Sequence, residues 1–271
     1  MAGPPLVGYE VSHNVAIITL NHPPVNALSS QTWKAIAEAM DRLARDTEVS
    51  VAILTASGTK AFSAGADTKE IAESNPATRA ARLDLVLEIM MKVVEVPVPL
   101  ICAINGPAVG GGLLLACLAD YRIAADHAHF SLPEIDRAAV GDGGAIMRRL
   151  GVPRSSIREM LFTGRRVSAP EALSIRVVDK IVPFPELMST SLELAEGMRV
   201  KSREGLILMK RAILASERET QWEAAFRATY PFAAEMATLS KTSPADPLSL
   251  QNEGSVGRTP RDIARSTASE P

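Results

Sequence analysis

The chain has 271 residues, 46% of them hydrophobic, with a formal net charge of −2. That much apolar material supplies one large packed core and excludes disorder throughout. The balanced charge gives no positive field to collect nucleic acid or an anionic lipid surface, and no apolar run reaches the roughly 20 residues that cross a bilayer, so neither a nucleic-acid nor a membrane partner is expected.

Residues 1–9 hold no basic segment followed by an apolar one, which argues against a secretory signal. Cys102 and Cys117 both lie in apolar runs and read as reduced core thiols, so a cytoplasmic protein is expected.

In chain order, NVAIITL (14–20) and VAILT (51–55) are rich in β-branched residues and predict strands. Between them Trp33, Ile36, Met40 and Leu43 recur at helical spacing behind a Ser29/Ser30 cap. Leu83, Val86, Met90 and Val93 mark a second amphipathic helix, and PLICAIN (99–105) is a strand so apolar that both its faces must be covered. LLLACLA (113–119) follows Gly110, Gly111 and Gly112 and reads as a buried helix; YRIAA (121–125) and AHFS (128–131) are short strands. Ser168 and Glu171 have capping-box spacing with Pro170 in the first turn. From Pro185 onward the pattern is helical, with Leu206, Met209 and Ile213 on one face and Trp222, Phe226 and Met236 on another. Alternating strands and helices predict a layered α/β architecture. The expected division is a core over 1–195, a helical region over 196–241 and a disordered tail over 242–271, where Ser, Thr, Pro, Asp and Gly prevail.

Two segments carry chemistry. In AFSAGADTKE (61–70), Ser63, Ala64, Gly65 and Ala66 let the backbone approach a ligand closely, and Asp67 is suited to cap the next helix; a plain tight turn is the competing reading. In NGPAVGGGLLLA (105–116), glycines open a helix directly after a buried strand, where unpaired N–H groups attract developing negative charge. No Gly-Lys-Ser/Thr follows and the Gly-x-Gly-x-x-Gly spacing is missing, which excludes the usual phosphate cradles and leaves a structural turn as the alternative. His127 and His129 share a strand face, but no Cys or third His accompanies them, so no metal is expected.

Taken together, NHPPVNALS (21–29), AFSAGADTKE, INGPAVGGGLLLACLADYRIAA (104–125), FSLPEI (130–135) and FTGRRVSAPEAL (162–173) resemble the successive signatures of the crotonase (enoyl-CoA hydratase/isomerase) superfamily over residues 8–215. The resemblance implies an α/β spiral of ββα repeats followed by a helical trimerisation region, assembled as a homotrimer or dimer of trimers. It implies an acyl-CoA substrate and no cofactor beyond the coenzyme A that the substrate carries. It maps the two oxyanion-hole amides onto Ala66 and Gly111, and contacts to the CoA ester onto Ala64, Asp67, Thr68, Lys69, Gly110, Leu114 and Pro133. Hydratases resembling this chain use two glutamates; here the first position is Leu114 and the second Glu134. One acid/base is therefore missing, which favours carbon-to-carbon proton transfer by Glu134, as in single-glutamate enoyl-CoA isomerases, over two-carboxylate hydration. Asp142, in the GDGG loop, is the candidate second carboxylate, with a helix N-cap for AIMRRL as the favoured alternative. Lys69, Arg79 and Arg82 are candidates for the CoA phosphates or for a solvated helix face. Hydration or dehydration, thioester hydrolysis, carbon–carbon cleavage and a silent binding role are the alternatives to isomerisation.

Overall fold

The computed structural model describes residues 4–218, apart from Ala138 and Asp142. The helix face expected at Trp222, Phe226 and Met236, the tail expected over 242–271 and the candidate Asp142 lie outside the described residues.

The chain opens with an antiparallel hairpin of β1 (Val7–Ser12) and β2 (Val15–Leu20), turned by His13 and Asn14, both at positive φ. Two left-handed residues give a turn whose twist matches the strands it joins. α1 (Ser30–Arg45) follows; Ser29 caps it by accepting from the Thr32 amide at 3.1 Å, and its buried face holds the expected Trp33, Ile36, Met40 and Leu43. β3 (Val51–Ala56) leads through a turn to α2 (Thr68–Glu73), and α3 (Pro76–Glu95) starts from a capping box between Asn75 and Thr78. Next come β4 (Leu100–Ile104), β5 (Ala108–Val109), α4 (Gly111–Cys117), β6 (Tyr121–Ala125) and β7 (His129–Ser131). A short 3-10 turn (Ile135–Arg137) precedes α5 (Gly143–Arg149) and α6 (Arg154–Thr163). β8 (Val167–Ser168), α7 (Ala169–Ser174), β9 (Lys180–Val182), α8 (Leu187–Arg199) and α9 (Arg203–Arg218) complete the described chain.

One sheet runs β1-β2-β3-β4-β6-β9, parallel from β2 onward; a smaller sheet runs β5-β7-β8. Every residue of β3 and β4 is buried. Alternation along these strands divides the core: Ala52, Leu54, Leu100, Cys102 and Ile104 pack with α1, α3 and α4 on one face. Val51, Ile53, Ile101 and Ala103 pack on the other face against Leu187 and Ala195 of α8. The double cover anticipated from PLICAIN is therefore present. Cys102 and Cys117 are buried and unbridged. No helix among the described residues is long and apolar enough to cross a membrane.

Two local expectations change. Along α9, Leu206 is half-buried but Met209 (63% exposed) and Ile213 (50%) face outward; Ile207, Lys210 and Leu214 turn inward instead. The row through 207, 210 and 214 wins because Lys210, only 6% exposed, extends its ammonium to Asp120 Oδ2 at 2.7 Å and Val98 O at 3.1 Å. At α7, Ser168 accepts from the Glu171 amide at 3.4 Å, but the Glu171 carboxylate is held by Arg165, so only half of the capping box forms.

Candidate active site

The turn after β3 is sewn into the protein on both edges. On one edge the Ser63 amide donates to Pro107 O at 3.2 Å and Ser63 O accepts from Val109 N at 2.9 Å. On the other edge Ala64 N donates to Val25 O at 2.9 Å, Leu28 N donates to Gly65 O at 2.8 Å and Asp67 N donates to Leu28 O at 3.4 Å. In a parallel bridge the residues flanking the bridged one make the bonds, so the amide of Ala66 itself is turned away from Leu28. Among the described residues, neither the Ala66 nor the Gly111 N–H meets a protein acceptor; for Gly111 this is the ordinary state of a first-turn helix amide.

Glycine is required where the two turns touch. Gly65 has φ +83°, and a Cβ there would lie 2.6 Å from Val109 O and 3.3 Å from Gly111 N. A Cβ on Gly112 would lie 2.6 Å from the Ser63 side chain. The small residues of both segments thus serve one purpose, backbone-to-backbone approach.

Glu134 follows β7 and Pro133. Its Oε1 lies 3.1 Å from the point a Cβ of Gly110 would occupy, and its Cγ lies 3.0 Å from that of Gly141. Its Oε2 is buried, and its main-chain oxygen accepts from Arg137 N at 3.1 Å and Ala139 N at 2.9 Å. The carboxylate therefore rests against the turn that opens α4, and Gly110, Gly111, Ala66 and Glu134 share one neighbourhood. Leu114 is 4% exposed in the first turn of α4 and belongs to the main core, so hydrocarbon occupies the first hydratase-glutamate position. Pro133 is half-buried beside Gly164.

A cleft of about 350 Å³ opens beside these turns; Ala64, Ala66, Asp67, Thr68 and Lys69 line it, with the 22–27 loop and Arg137 completing the walls. Gly110, Leu114 and Pro133 do not line it. Asp67 spends its carboxylate on the Lys69 and Glu70 amides, capping α2 as its position suggested. Of the cations considered, Lys69 reaches the cleft, whereas Arg79 donates to Ser74 Oγ and Arg82 to Leu28 O. Arg137 went unnoticed in the sequence because it lies in no motif; only folding brings its 3-10 turn over the cleft. His127 packs edge-on against Phe184, and burial together with Arg166 lowers the pKa of His129. Neither joins the site.

Residues 10–239 match the family model described as enoyl-CoA hydratase/isomerase. The carnitinyl-CoA dehydratase of Salmonella enteritidis PT4 is 40% identical over 182 residues, 67% of this chain and 69% of the relative. The structure resembles a probable enoyl-CoA hydratase from Mycobacterium thermoresistibile at a TM-score of 0.79 and 30% identity, covering 88% of this chain and 98% of that one. An enoyl-CoA hydratase/carnithine racemase from Magnetospirillum magneticum aligns at a TM-score of 0.75 and 30% identity over 79% and 82% of the two chains. With fold, turn geometry and sequence in agreement, this chain belongs to the enoyl-CoA hydratase/isomerase (crotonase) family of acyl-CoA enzymes.

Proposed function

We propose that the protein isomerises an enoyl-CoA. The thioester oxygen sits between the Ala66 and Gly111 amides while Glu134 moves a proton from one carbon of the acyl chain to another. Removing a proton beside a thioester places negative charge on the carbonyl oxygen, and preorganised N–H donors oppose that cost, each worth about 3–4 kcal/mol where one has been removed from such a hole. The single observation that carries the reading is the contact of the Glu134 carboxylate with the Gly110–Gly111 turn while Leu114 is apolar. One carboxylate suffices to take and return a proton, whereas activating water and protonating carbon are divided between two in the hydratases that the chain resembles.

Dehydration or hydration is the second reading, favoured by the 40% identity to a carnitinyl-CoA dehydratase. Purified protein given a 3-enoyl-CoA and, separately, a 2-enoyl-CoA distinguishes the two. Isomerisation produces the conjugated thioester from the first substrate without a mass change; hydration consumes it from the second with the gain of one water. A folded protein that does only the second overturns isomerisation. We further propose a trimer or dimer of trimers, supported by the outward-facing Leu208, Met209 and Ile213 on α9 and checked by sedimentation of the full chain.

A further inference from the structure

The Ala66 amide sits immediately before α2, a helix of six residues of which none is buried. Apolar packing therefore does not hold it, yet an oxyanion donor must keep its direction to within a fraction of an ångström. Polar groups supply the restraint. The Glu70 carboxylate, on α2, accepts from the Ser30 amide at 2.8 Å and from the Ser30 hydroxyl. Ser30 opens α1, whose Trp33, Ile36, Met40 and Leu43 are anchored in the core, so Glu70 ties a shallow helix to a deep one. A carboxylate at that helix start also satisfies an otherwise orphaned amide and complements the dipole.

Arg82, on α3, completes the arrangement. Its Nε is 3.9 Å from Glu70 Oε2, and a terminal nitrogen donates to Leu28 O at 3.1 Å. Leu28 is the residue whose N–H and C=O bond on either side of Ala66. Burial lowers the pKa of Arg82, opposed by Glu70 and Asp67. A partly buried pair of this kind, with side chains 16% and 34% exposed, adds little net stability, so its role is sought in geometry.

We propose that Glu70 and Arg82 are positioning residues that fix the direction of the Ala66 N–H, Glu70 by tying α2 to α1 and Arg82 by tying the Leu28 carbonyl to α3. The inference rests on the reading of Ala66 as an oxyanion donor, and its test separates the two. Acetoacetyl-CoA ionises at the carbon between its carbonyls, and the near-ultraviolet absorbance of its enolate reports how strongly a site stabilises the oxyanion, without turnover. Wild-type protein is expected to raise the enolate fraction at fixed pH. E70Q and R82M should lower the enolate-to-keto ratio of bound ligand and kcat by about tenfold each, equivalent to about 1.4 kcal/mol, with little change in KM. R82K should recover part of the loss.

If wild type does not raise the enolate fraction, the oxyanion reading falls and the clamp with it. If wild type raises it and folded E70Q retains both the ratio and kcat, the clamp alone is overturned. A variant that loses only melting temperature, with the ratio per bound ligand unchanged, overturns it equally. Should E70Q not fold, S30A, which deletes one hydroxyl from the network, decides by the same two readings.

Discussion

Gly65 and Gly111 meet across two turns so closely that a single methyl group on Gly65 would press 2.6 Å from Val109 O and 3.3 Å from the Gly111 nitrogen. Gly65→Ala is therefore expected to push the 109–111 segment outward and to force a left-handed alanine. The strain should cost about 1–3 kcal/mol of stability. Losing the alignment of one oxyanion donor should lower kcat by about a hundredfold or more. Denaturant unfolding and steady-state kinetics on the same preparation check both. Wild-type kcat in the variant would mean that the contact does not set the site.

Glu134→Gln keeps shape and volume beside Gly110 while removing the proton acceptor. On the isomerase reading, kcat should fall by about 10²–10⁴-fold with KM nearly unchanged. Exchange of substrate carbon-bound deuterium with water should fall in parallel. A variant whose exchange persists at the wild-type rate would assign the proton to another group.

How far these features were legible in the sequence depended on whether each was local. α1 announced itself because Trp33, Ile36, Met40 and Leu43 repeat with the helix period, and β4 because a run of apolar residues has no alternative to double burial. The glycine turns were legible because only small residues permit the approach they make. β5 and β8, of two residues each, carry no period to read. Nothing local marks Lys210 as buried, because hydropathy does not foresee an ammonium held by Asp120, ninety positions earlier. The Glu70–Ser30 and Arg82–Leu28 contacts join residues 40 and 54 positions apart, so no local pattern signals them.

Burial gives the two thiols a measurable signature. It pushes the Cys117 thiol from 9.0 up to about 11, and raises Cys102 in the same direction. Because the folded pKa lies above the unfolded value, the folded state holds its proton where the unfolded chain has lost it. The stability linked to Cys117 is therefore complete below pH 9 and is lost as pH rises toward 11, by about 3 kcal/mol over the window. Equilibrium unfolding of wild type and Cys117→Ala between pH 8 and pH 11 checks this. The stability difference between the two proteins should shrink as pH rises, and a constant difference would show that the thiol does not titrate on unfolding.

Arg137 and Lys69 place two cations on one cleft while Asp67 is occupied in capping α2. Both charges favour an anionic group on a ligand that enters the cleft. Arg137→Met should raise KM for a CoA ester by about tenfold or more, the value of a charge-assisted hydrogen bond, and leave kcat unchanged. The corresponding pantetheine ester lacks the phosphates and should show no such penalty. An equal penalty with both esters would move the anion from the nucleotide to the acyl group.

Leu114 offers the sharpest test of the choice between reactions. It stands in the first turn of α4, its amide donates to Gly110 O at 3.0 Å, and the Glu134 carboxylate packs against that same Gly110. Leu114→Glu would add a second carboxylate near the first, where mutual repulsion tends to keep one of them protonated. That is the division of labour hydration requires, one group taking a proton from water and one delivering a proton to carbon. The ratio of hydration to isomerisation should rise by about tenfold or more. Because Leu114 is 4% exposed, placing a carboxyl there should also cost about 2–5 kcal/mol of stability. Leu114→Gln, equally polar but without an ionisable group, should lose comparable stability and gain no hydration. If glutamine shifts the ratio as much as glutamate, solvent entry is responsible and not acid–base chemistry. If neither shifts it, the reaction is not decided at this position.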